Sequence, residues 1–273
     1  MASPAGRGGK GRGRGVVQLR QPNDAPCEGE LRKPSRDRPP EEKPLPPSLK
    51  SLVQSAVGEV LLNEKKAEQV ASKFNETVTS MEDVQHLADR ILELCDSERA
   101  RALAILCSGF AQNWQSQALV AANPKMAQFR SQLLKAFGIR YEQRTQMKTE
   151  SLAGFLGFIS FLGYLYCKLR ISDAPPSFLA EPVAQCLRES LSTKTEVECF
   201  LELVEEVGPI MSKHSKSVMD KLCSFCREQL LRDPCPPFKR FALLLVIEQH
   251  ASQWKMDDEV RSQLDSLMSS VFA

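Results

Sequence analysis

The feature that most constrains the fold is an apolar run, Ser151–Arg170, which reads SLAGFLGFISFLGYLYCKLR. It carries no charged side chain before Lys168. On a helix its large apolar residues occupy every face: Phe155, Phe158, Ile159, Leu162 and Tyr166 share one face, and Leu152, Leu156, Phe161 and Leu165 lie on the others. A helix that is apolar all round is buried on most sides. The run therefore predicts a central core helix on which the other helices pack.

Two further properties of this run refine the prediction. Only 17 uncharged residues separate Glu150 from Lys168, whereas a membrane-spanning helix needs roughly 20 apolar residues. A core helix is therefore favoured over a membrane span.

Gly154, Gly157 and Gly163 each lower helix propensity by about 1 kcal/mol relative to Ala, and we expect the close approach of neighbouring helices to compensate.

The chain after residue 47 has helical periodicity throughout. Capping residues mark several helix starts: Ser48, Asn63, Ser80 with Asp83, Thr193 with Glu196, and Asp257. Pro182 is expected to kink or restart a helix, and Pro234–Pro237 to break the chain before a second nearly all-apolar helix, Phe238–Trp254. About eleven helices with short turns and no strand predict an all-α, HEAT-like α-solenoid of about five antiparallel helical hairpins.

The first 47 residues differ in composition from the rest. Residues 1–50 carry 11 Lys or Arg against 6 Asp or Glu and hold nine of the 17 prolines. Such a segment buries too little apolar surface to fold. We therefore divide the chain into a disordered basic Gly/Arg- and Pro-rich arm, residues 1–47, and a helical HEAT-type domain, residues 48–273. Arg7, Arg12 and Arg14 lie among Gly–Arg repeats and are candidate RNA contacts. The alternative is a flexible basic terminus without a specific partner.

A second basic feature lies just before the apolar run. Arg140, Arg144 and Lys148 recur every four residues, which places them on one face of a helix. Such a basic stripe is a candidate contact for RNA phosphates or for an acidic partner surface. A solvated helix face is the alternative.

The cysteines and histidines do not form a recognisable reactive site. Cys223 and Cys226 with Cys235 would need a fourth zinc ligand, such as His214 or His250. Cys223 and Cys226 lie within an apolar helical pattern, which favours buried free thiols instead. Because no nucleophile signature accompanies the histidines, we predict that the chain is not an enzyme and assign no catalytic, metal or cofactor residues.

The nine cysteines are odd in number and lie mostly in apolar helical patterns. The basic N-terminus is not followed by the apolar segment of a secretory signal. A reducing compartment is therefore expected, the cytoplasm first and the nucleus as an alternative.

Two stretches carry a resemblance to a known family. They are Arg144–Arg170, with its basic lead-in and Phe–Leu-rich helix, and Pro237–Lys255, an apolar helix that ends in a Trp-Lys turn. Both resemble the middle domain of eukaryotic translation initiation factor 4G, and the resemblance extends over about residues 48–273. It is closest to the small single-domain translation adaptors: stem-loop-binding-protein-interacting, cap-binding-complex-dependent and poly(A)-binding-protein-interacting proteins.

The resemblance implies a non-catalytic helical scaffold that acts in mRNA translation or mRNA metabolism. Its expected partners are a DEAD-box RNA helicase, a translation initiation factor or an mRNA-bound protein, with RNA as a further partner and no membrane. One alternative is direct RNA binding through the Gly/Arg arm and the basic stripe. Another is a helical scaffold unrelated to RNA. Self-association to a homo-oligomer is left open.

Overall fold

The computed structural model describes residues 47–113, 124–171, 173–232 and 234–272. Its α-helices are α1 (Pro47–Leu62), α2 (Ala67–Ser72), α3 (Phe74–Thr77), α4 (Met81–Glu93), α5 (Ala100–Asn113), α6 (Phe129–Glu142), α7 (Arg144–Glu150), α8 (Leu152–Lys168), α9 (Ala180–Glu189), α10 (Lys194–His214), α11 (Lys216–Leu230), α12 (Pro237–Ala251) and α13 (Asp258–Val271). Short 3-10 helices span Glu64–Lys66, Met126–Gln128 and Ser177–Leu179. Over these residues the structure contains no β-strand beyond one isolated bridge, Ile171 to Ala174, so the predicted all-α class is confirmed.

The helices pack in the manner of a solenoid. In the described part of the chain, α2, α5, α8, α10 and α12 form a continuous row in which each helix contacts the next. Helices α4 and α6 pack on each other, as do α9 and α11, beside this row. Such stacking of helix layers is what distinguishes a HEAT-like scaffold from a closed bundle. The predicted HEAT-like architecture is therefore confirmed.

Helix α8 lies in the middle of that row, between α5 and α10. Its side chains are buried on all faces, including Phe155, Phe158 and Phe161. The helix begins where the Ser151 side chain accepts a hydrogen bond from the backbone N–H of Gly154, at 3.1 Å. The central core helix predicted from the apolar run is confirmed. None of the helices that the structure describes is long and apolar enough to cross a membrane.

Two of the three glycines of α8 allow close packing, as expected. A Cβ on Gly157 would lie 2.7 Å from the Cα of Asp96 and 2.7 Å from the carbonyl oxygen of Cys95. A Cβ on Gly163 would lie 2.9 Å from a methyl group of Leu203 on α10. The expectation is wrong for Gly154, because it lies in the first turn and a Cβ there would approach only the Ser151 cap.

The predicted caps agree with the structure at most helix starts. Ser80 and Asp83 form a reciprocal capping box at α4, and Thr193 and Glu196 form one at α10. Asn63 accepts from the N–H of Lys65, and Asp257 accepts from that of Glu259. Helix α1 begins at Pro47, and the cap predicted at Ser48 depends on a side chain that lies outside the described ones. Proline is well tolerated in a first helical turn, where its missing N–H is not needed.

The proline predictions also have clear outcomes. Pro182 lies in the first turn of α9, after a 3-10 turn over Ser177–Leu179, so it restarts the helix rather than kinking it. Pro209 does not end α10, which continues to His214. Several large apolar residues are exposed, among them Leu61, Leu231, Val260 and Leu267. The first two lie at helix ends, and the last two lie on α13, which packs chiefly on α12.

Candidate functional site

The predicted basic stripe is largely engaged within the chain. The guanidinium group of Arg144 donates two hydrogen bonds to the carboxylate of Glu189, both at 2.9 Å. It also donates to the carbonyl of Tyr141 and lies 4.2 Å from the centre of the Tyr141 ring. This paired geometry joins α7 to α9.

Lys148 is engaged in the same way, one helical turn later. Its Nζ lies 2.8 Å from Oε1 of Glu196, a residue that is only 1% exposed. Glu196 also accepts hydrogen bonds from the backbone N–H groups of Ser192 and Thr193. Burial acts to raise the pKa of Glu196, but the hydrogen bonds from Lys148, Thr193 and Ser192 outweigh it and lower the pKa. Lys148 therefore completes the cap of α10.

The remaining predicted contacts have different positions. Arg140 is partly buried and donates from Nη1 to the carbonyl of Leu92, at 3.2 Å. Arg7, Arg12 and Arg14 lie outside the described residues. The acidic partners Glu189 and Glu196 were not associated with the stripe in the sequence, because each lies more than 40 residues away along the chain. In the sequence, the only sign of such ion pairs is a carboxylate in one helix and a basic residue in another.

A concave groove lies between three C-terminal helices of the described chain. It has a volume of about 450 Å³ and is formed by α10, α12, the loop after α12, and α13. Its apolar lining consists of Leu201, Pro209, Leu245, Trp254, Met256, Leu264, Met268 and Phe272. Apolar surface with a few charged groups at its margin is typical of a ligand or peptide site, so we take this groove as the candidate functional site.

Trp254 shapes one end of the groove. Gln253 and Trp254 have φ angles of 56° and 62°, a left-handed conformation that is unusual for large side chains. The indole N–H donates to the Ser212 hydroxyl at 2.7 Å, and the ring packs directly on Gly208, where a Cβ would overlap it. The strained turn is therefore held by α10, and Gly208 provides the space for the indole.

The acidic residues of α10 divide into two groups. Glu205 forms an ion pair with Arg261 of α13, and Glu206 forms one with Arg101 of α5 at 2.9 Å. These pairs connect α10 to its neighbours. Glu198 and Glu202 also line the groove, and neither forms an ion pair within the described ranges. Their charges remain available to a partner.

A second, more open cavity adjoins the Trp254 end and is basic. It has a volume of about 710 Å³, and it is lined by Lys213, Lys216 and Lys255 together with His250. Asp220 offsets part of this charge, because it lies 2.7 Å from Lys216 and 3.4 Å from His250. Pro209, Trp254 and Lys255 line both cavities, so they form the boundary between an acidic groove and a basic cavity.

The cysteines are buried thiols where the structure describes them, apart from the partly exposed Cys95. Cys223 and Cys226 lie on the buried face of α11, and burial raises the pKa of Cys223 to about 11 and that of Cys226 to about 12. They are therefore protonated at neutral pH and poor nucleophiles. Across the described residues, no three His, Cys, Asp or Glu side chains are grouped to hold a metal ion.

Comparison with known proteins identifies related sequences. The chain is 30% identical over 147 residues to MIF4G domain-containing protein A of Xenopus laevis and 32% identical over 147 residues to the MIF4G domain-containing protein of Mus musculus. These matches cover 52% and 50% of this chain and 66% of each relative, slightly less than two thirds of the relatives' length. A third relative, from Bos taurus, is 28% identical over 181 residues, which are 63% of this chain and 79% of that protein.

A search of protein-family models returned no match to the chain. The curated relatives nevertheless agree with each other in name, and the all-α structure agrees with the fold that the sequence patterns predicted. The chain is therefore similar to the MIF4G domain-containing proteins, and the predicted resemblance to the middle domain of eukaryotic translation initiation factor 4G is confirmed.

Proposed function

We propose that this chain is a non-enzymatic adaptor in mRNA translation or mRNA metabolism. Its partner is a DEAD-box RNA helicase, a translation initiation factor or an mRNA-bound protein, and the cytoplasm is the place of action. The observation that carries the proposal is the similarity to MIF4G domain-containing proteins over 147 residues. No membrane contact is part of this function.

The stacked helices of the C-terminal unit support a scaffold role. A row of stacked helices is a rigid support for surface residues, because each helix is fixed by both of its neighbours. The groove between α10, α12 and α13 adds an apolar surface with two carboxylates, Glu198 and Glu202, at its margin. A surface of this kind suits a protein partner better than a nucleic acid, because carboxylates repel phosphate groups.

Affinity capture with and without ribonuclease tests the adaptor role. The full tagged chain is compared with a full-length variant in which Arg7, Arg12 and Arg14 are replaced by Ala. We expect a helicase or initiation factor to remain bound after ribonuclease and in the variant, because contacts between proteins do not need the RNA or the arm. Loss of every translation component after ribonuclease would contradict the adaptor role.

Direct RNA binding is the second candidate function. It is supported by the Gly–Arg repeats of the arm and by the lysines of the basic cavity, Lys213, Lys216 and Lys255. Each phosphate contact contributes to the dependence of affinity on salt, so binding should weaken steeply between low and physiological salt. A titration of the purified chain with labelled single-stranded RNA at two salt concentrations measures this directly. Affinity that does not change with salt contradicts this second function.

A further inference from the structure

The C-terminal groove has a length, an apolar floor and a distribution of charge that together define its occupant. Resting on the adaptor function proposed above, we infer that it binds an amphipathic helical segment of a partner protein, of about three turns, with a basic end and an acidic end. The occupant's apolar face lies on the groove, its basic end at Glu198 and Glu202, and its acidic end beyond Trp254.

The length follows from the position of the lining residues on α10. Glu198 and Pro209 both line the groove, and the step of eleven positions from one to the other corresponds to about 16 Å at the rise of an α-helix. A bound helix of about three turns has the same length. It would lie in a trough whose other sides are α12 and α13.

The apolar floor sets the spacing of the occupant's own apolar residues. Leu201 of α10, Leu245 of α12, and Leu264 and Met268 of α13 face the same volume. A helix that binds such a trough needs apolar side chains at positions i, i+4 and i+7, because only these fall on one face. Methionine is adaptable in shape, and Met256 and Met268 together suit a site that accepts more than one sequence.

The charge at one end of the groove is negative. Its charged lining residues are Glu198, Glu202, Glu205, Lys255 and Arg261. Glu205 and Arg261 neutralise each other, and Lys255 lies at the boundary with Trp254. The distant end therefore presents Glu198 and Glu202, and complementarity requires Lys or Arg in the occupant there.

The charge at the other end is positive. Beyond Trp254 the surface continues into the basic cavity with Lys213, Lys216, His250 and Lys255. Asp220 is the carboxylate that faces Lys216 and His250, which leaves Lys213 and Lys255 without an ion pair among the described residues. An occupant that extends past Trp254 should therefore carry Asp or Glu. The two ends together fix the direction in which the segment lies.

Selection from a phage-displayed library of random peptides of about 16 residues on the full tagged chain tests the inference. The expected peptides share apolar residues at i, i+4 and i+7, with Lys or Arg at one end and Asp or Glu at the other. The double variant Glu198→Lys with Glu202→Lys should weaken their binding by about tenfold or more in fluorescence anisotropy, because two attractive contacts become repulsive. The inference would be overturned if the selected peptides lacked this charge pattern. It would also be overturned if the double variant bound them as tightly as the wild type does.

Two further variants make the result specific. The control Glu82→Lys with Glu228→Lys changes the net charge by the same amount at exposed positions that do not line the groove, and it should leave affinity within about twofold. The variant Lys213→Glu with Lys255→Glu should bind the same peptides more weakly. It should bind more tightly those peptides in which the acidic end is replaced by a basic one. An equal loss of affinity in the control variant would show a non-specific charge effect and contradict the inference.

Two other outcomes separate this inference from the adaptor function. If the groove is occupied by a second copy of the chain, light scattering should show a dimer that the Glu198→Lys, Glu202→Lys variant dissociates, and the inferred partner is then wrong. If selected peptides show the expected pattern but no translation component is captured from lysate, the groove inference holds and the adaptor function fails. If capture succeeds and is unchanged in the variant while no helical peptide is selected, only the groove inference fails.

Discussion

The Nζ of Lys148 and the Oε1 of Glu196 lie 2.8 Å apart and join α7 to the first turn of α10. The carboxylate of Glu196 is almost completely buried, whereas the Lys148 side chain is 25% exposed. Glu196 therefore caps α10 with three donors: the backbone N–H groups of Ser192 and Thr193, and the ammonium group of Lys148, which is distant in sequence. It connects the predicted basic stripe to the helix that forms one wall of the groove, and its role is structural.

Replacing Lys148 by Met should destabilise the domain by about 2–3 kcal/mol, because Glu196 would keep its charge in a buried site with only backbone donors. Lys135→Met is the matched control, since Lys135 is an exposed lysine on α6 without an ion pair in the described chain. Urea unfolding followed by circular dichroism measures both. Equal stability of the two variants would show that the Lys148–Glu196 pair contributes nothing net.

The same carboxylates should make the domain sensitive to acid. For Glu189 and Glu196, burial acts to raise the pKa, but hydrogen bonds from Arg144 and Lys148 respectively outweigh it, so both pKa values lie below the ordinary value. A carboxyl whose pKa is lowered by folding stabilises the native state above its unfolded pKa, about 4.3 for Glu. That stabilisation is lost as the pH falls through the lower folded pKa.

We therefore expect the free energy of unfolding to be level above pH 5 and to fall progressively below about pH 4.3. The Glu196→Gln variant should be less stable at pH 7 and should lose part of this pH dependence, because one of the coupled carboxyls is absent. Urea unfolding at intervals from pH 7 to pH 3 measures both effects. An unchanged slope in the variant would mean that other carboxyls, such as Asp83 with its lowered pKa, account for the acid sensitivity.

The helices and their caps could be predicted from the sequence because their causes are local. Apolar periodicity in the central helix and the pairs Ser80–Asp83 and Thr193–Glu196 depend on residues within one or two turns of each other. The groove could not be predicted, because it exists only where α10, α12 and α13 meet. One end of the groove depends on Trp254 in a left-handed conformation. The glycine or asparagine that usually indicates this conformation in a sequence does not occupy this position.

The basic stripe illustrates the same limit. Its periodicity predicted one face of a single helix, but the chain breaks at Gln143, so Arg140 lies on α6 whereas Arg144 and Lys148 lie on α7. Periodicity also carries no information about what a helix face contacts. Glu189 and Glu196 belong to the ends of two later helices. Their proximity to α7 results from the stacking of the solenoid, a long-range property that sequence spacing does not encode.

Gly157 provides a test of the packing at the centre of the fold. Gly157→Ala should cost about 3 kcal/mol, because the new Cβ would meet backbone atoms of Cys95 and Asp96, which cannot rotate away. It would also disturb the hydrogen bond from the Cys95 thiol to the Gly157 carbonyl, at 3.1 Å. Gly58→Ala in α1 is the control, since its Cβ would meet nothing within 4 Å.

The control should be neutral or stabilising by up to about 1 kcal/mol, because Ala favours the helix more than Gly does. Thermal unfolding followed by circular dichroism distinguishes the two variants. A Gly157→Ala protein as stable as the wild type would mean that the 95–96 turn can move away from α8, and that the close contact does not limit the position of the central helix.

Gly208 tests whether the Trp254 turn determines the shape of the groove. The indole ring occupies the space that a Cβ on Gly208 would need, so Gly208→Ala should displace the ring and break its hydrogen bond to Ser212. The expected cost is about 2–3 kcal/mol. Gly138→Ala in α6 is the control, because its Cβ would meet nothing within 4 Å, and it should be neutral or slightly stabilising.

Tryptophan fluorescence in a Trp114→Phe background reports on Trp254 alone, since the chain has two tryptophans. Gly208→Ala should shift the emission to longer wavelength as the indole moves toward water, and peptides selected on the groove should bind more weakly. A stable variant with unchanged emission would show that the turn adapts without moving the ring. A shifted emission with unchanged peptide affinity would show instead that Trp254 serves the stability of the α12–α13 connection and not the binding surface, so the two readouts together assign its role.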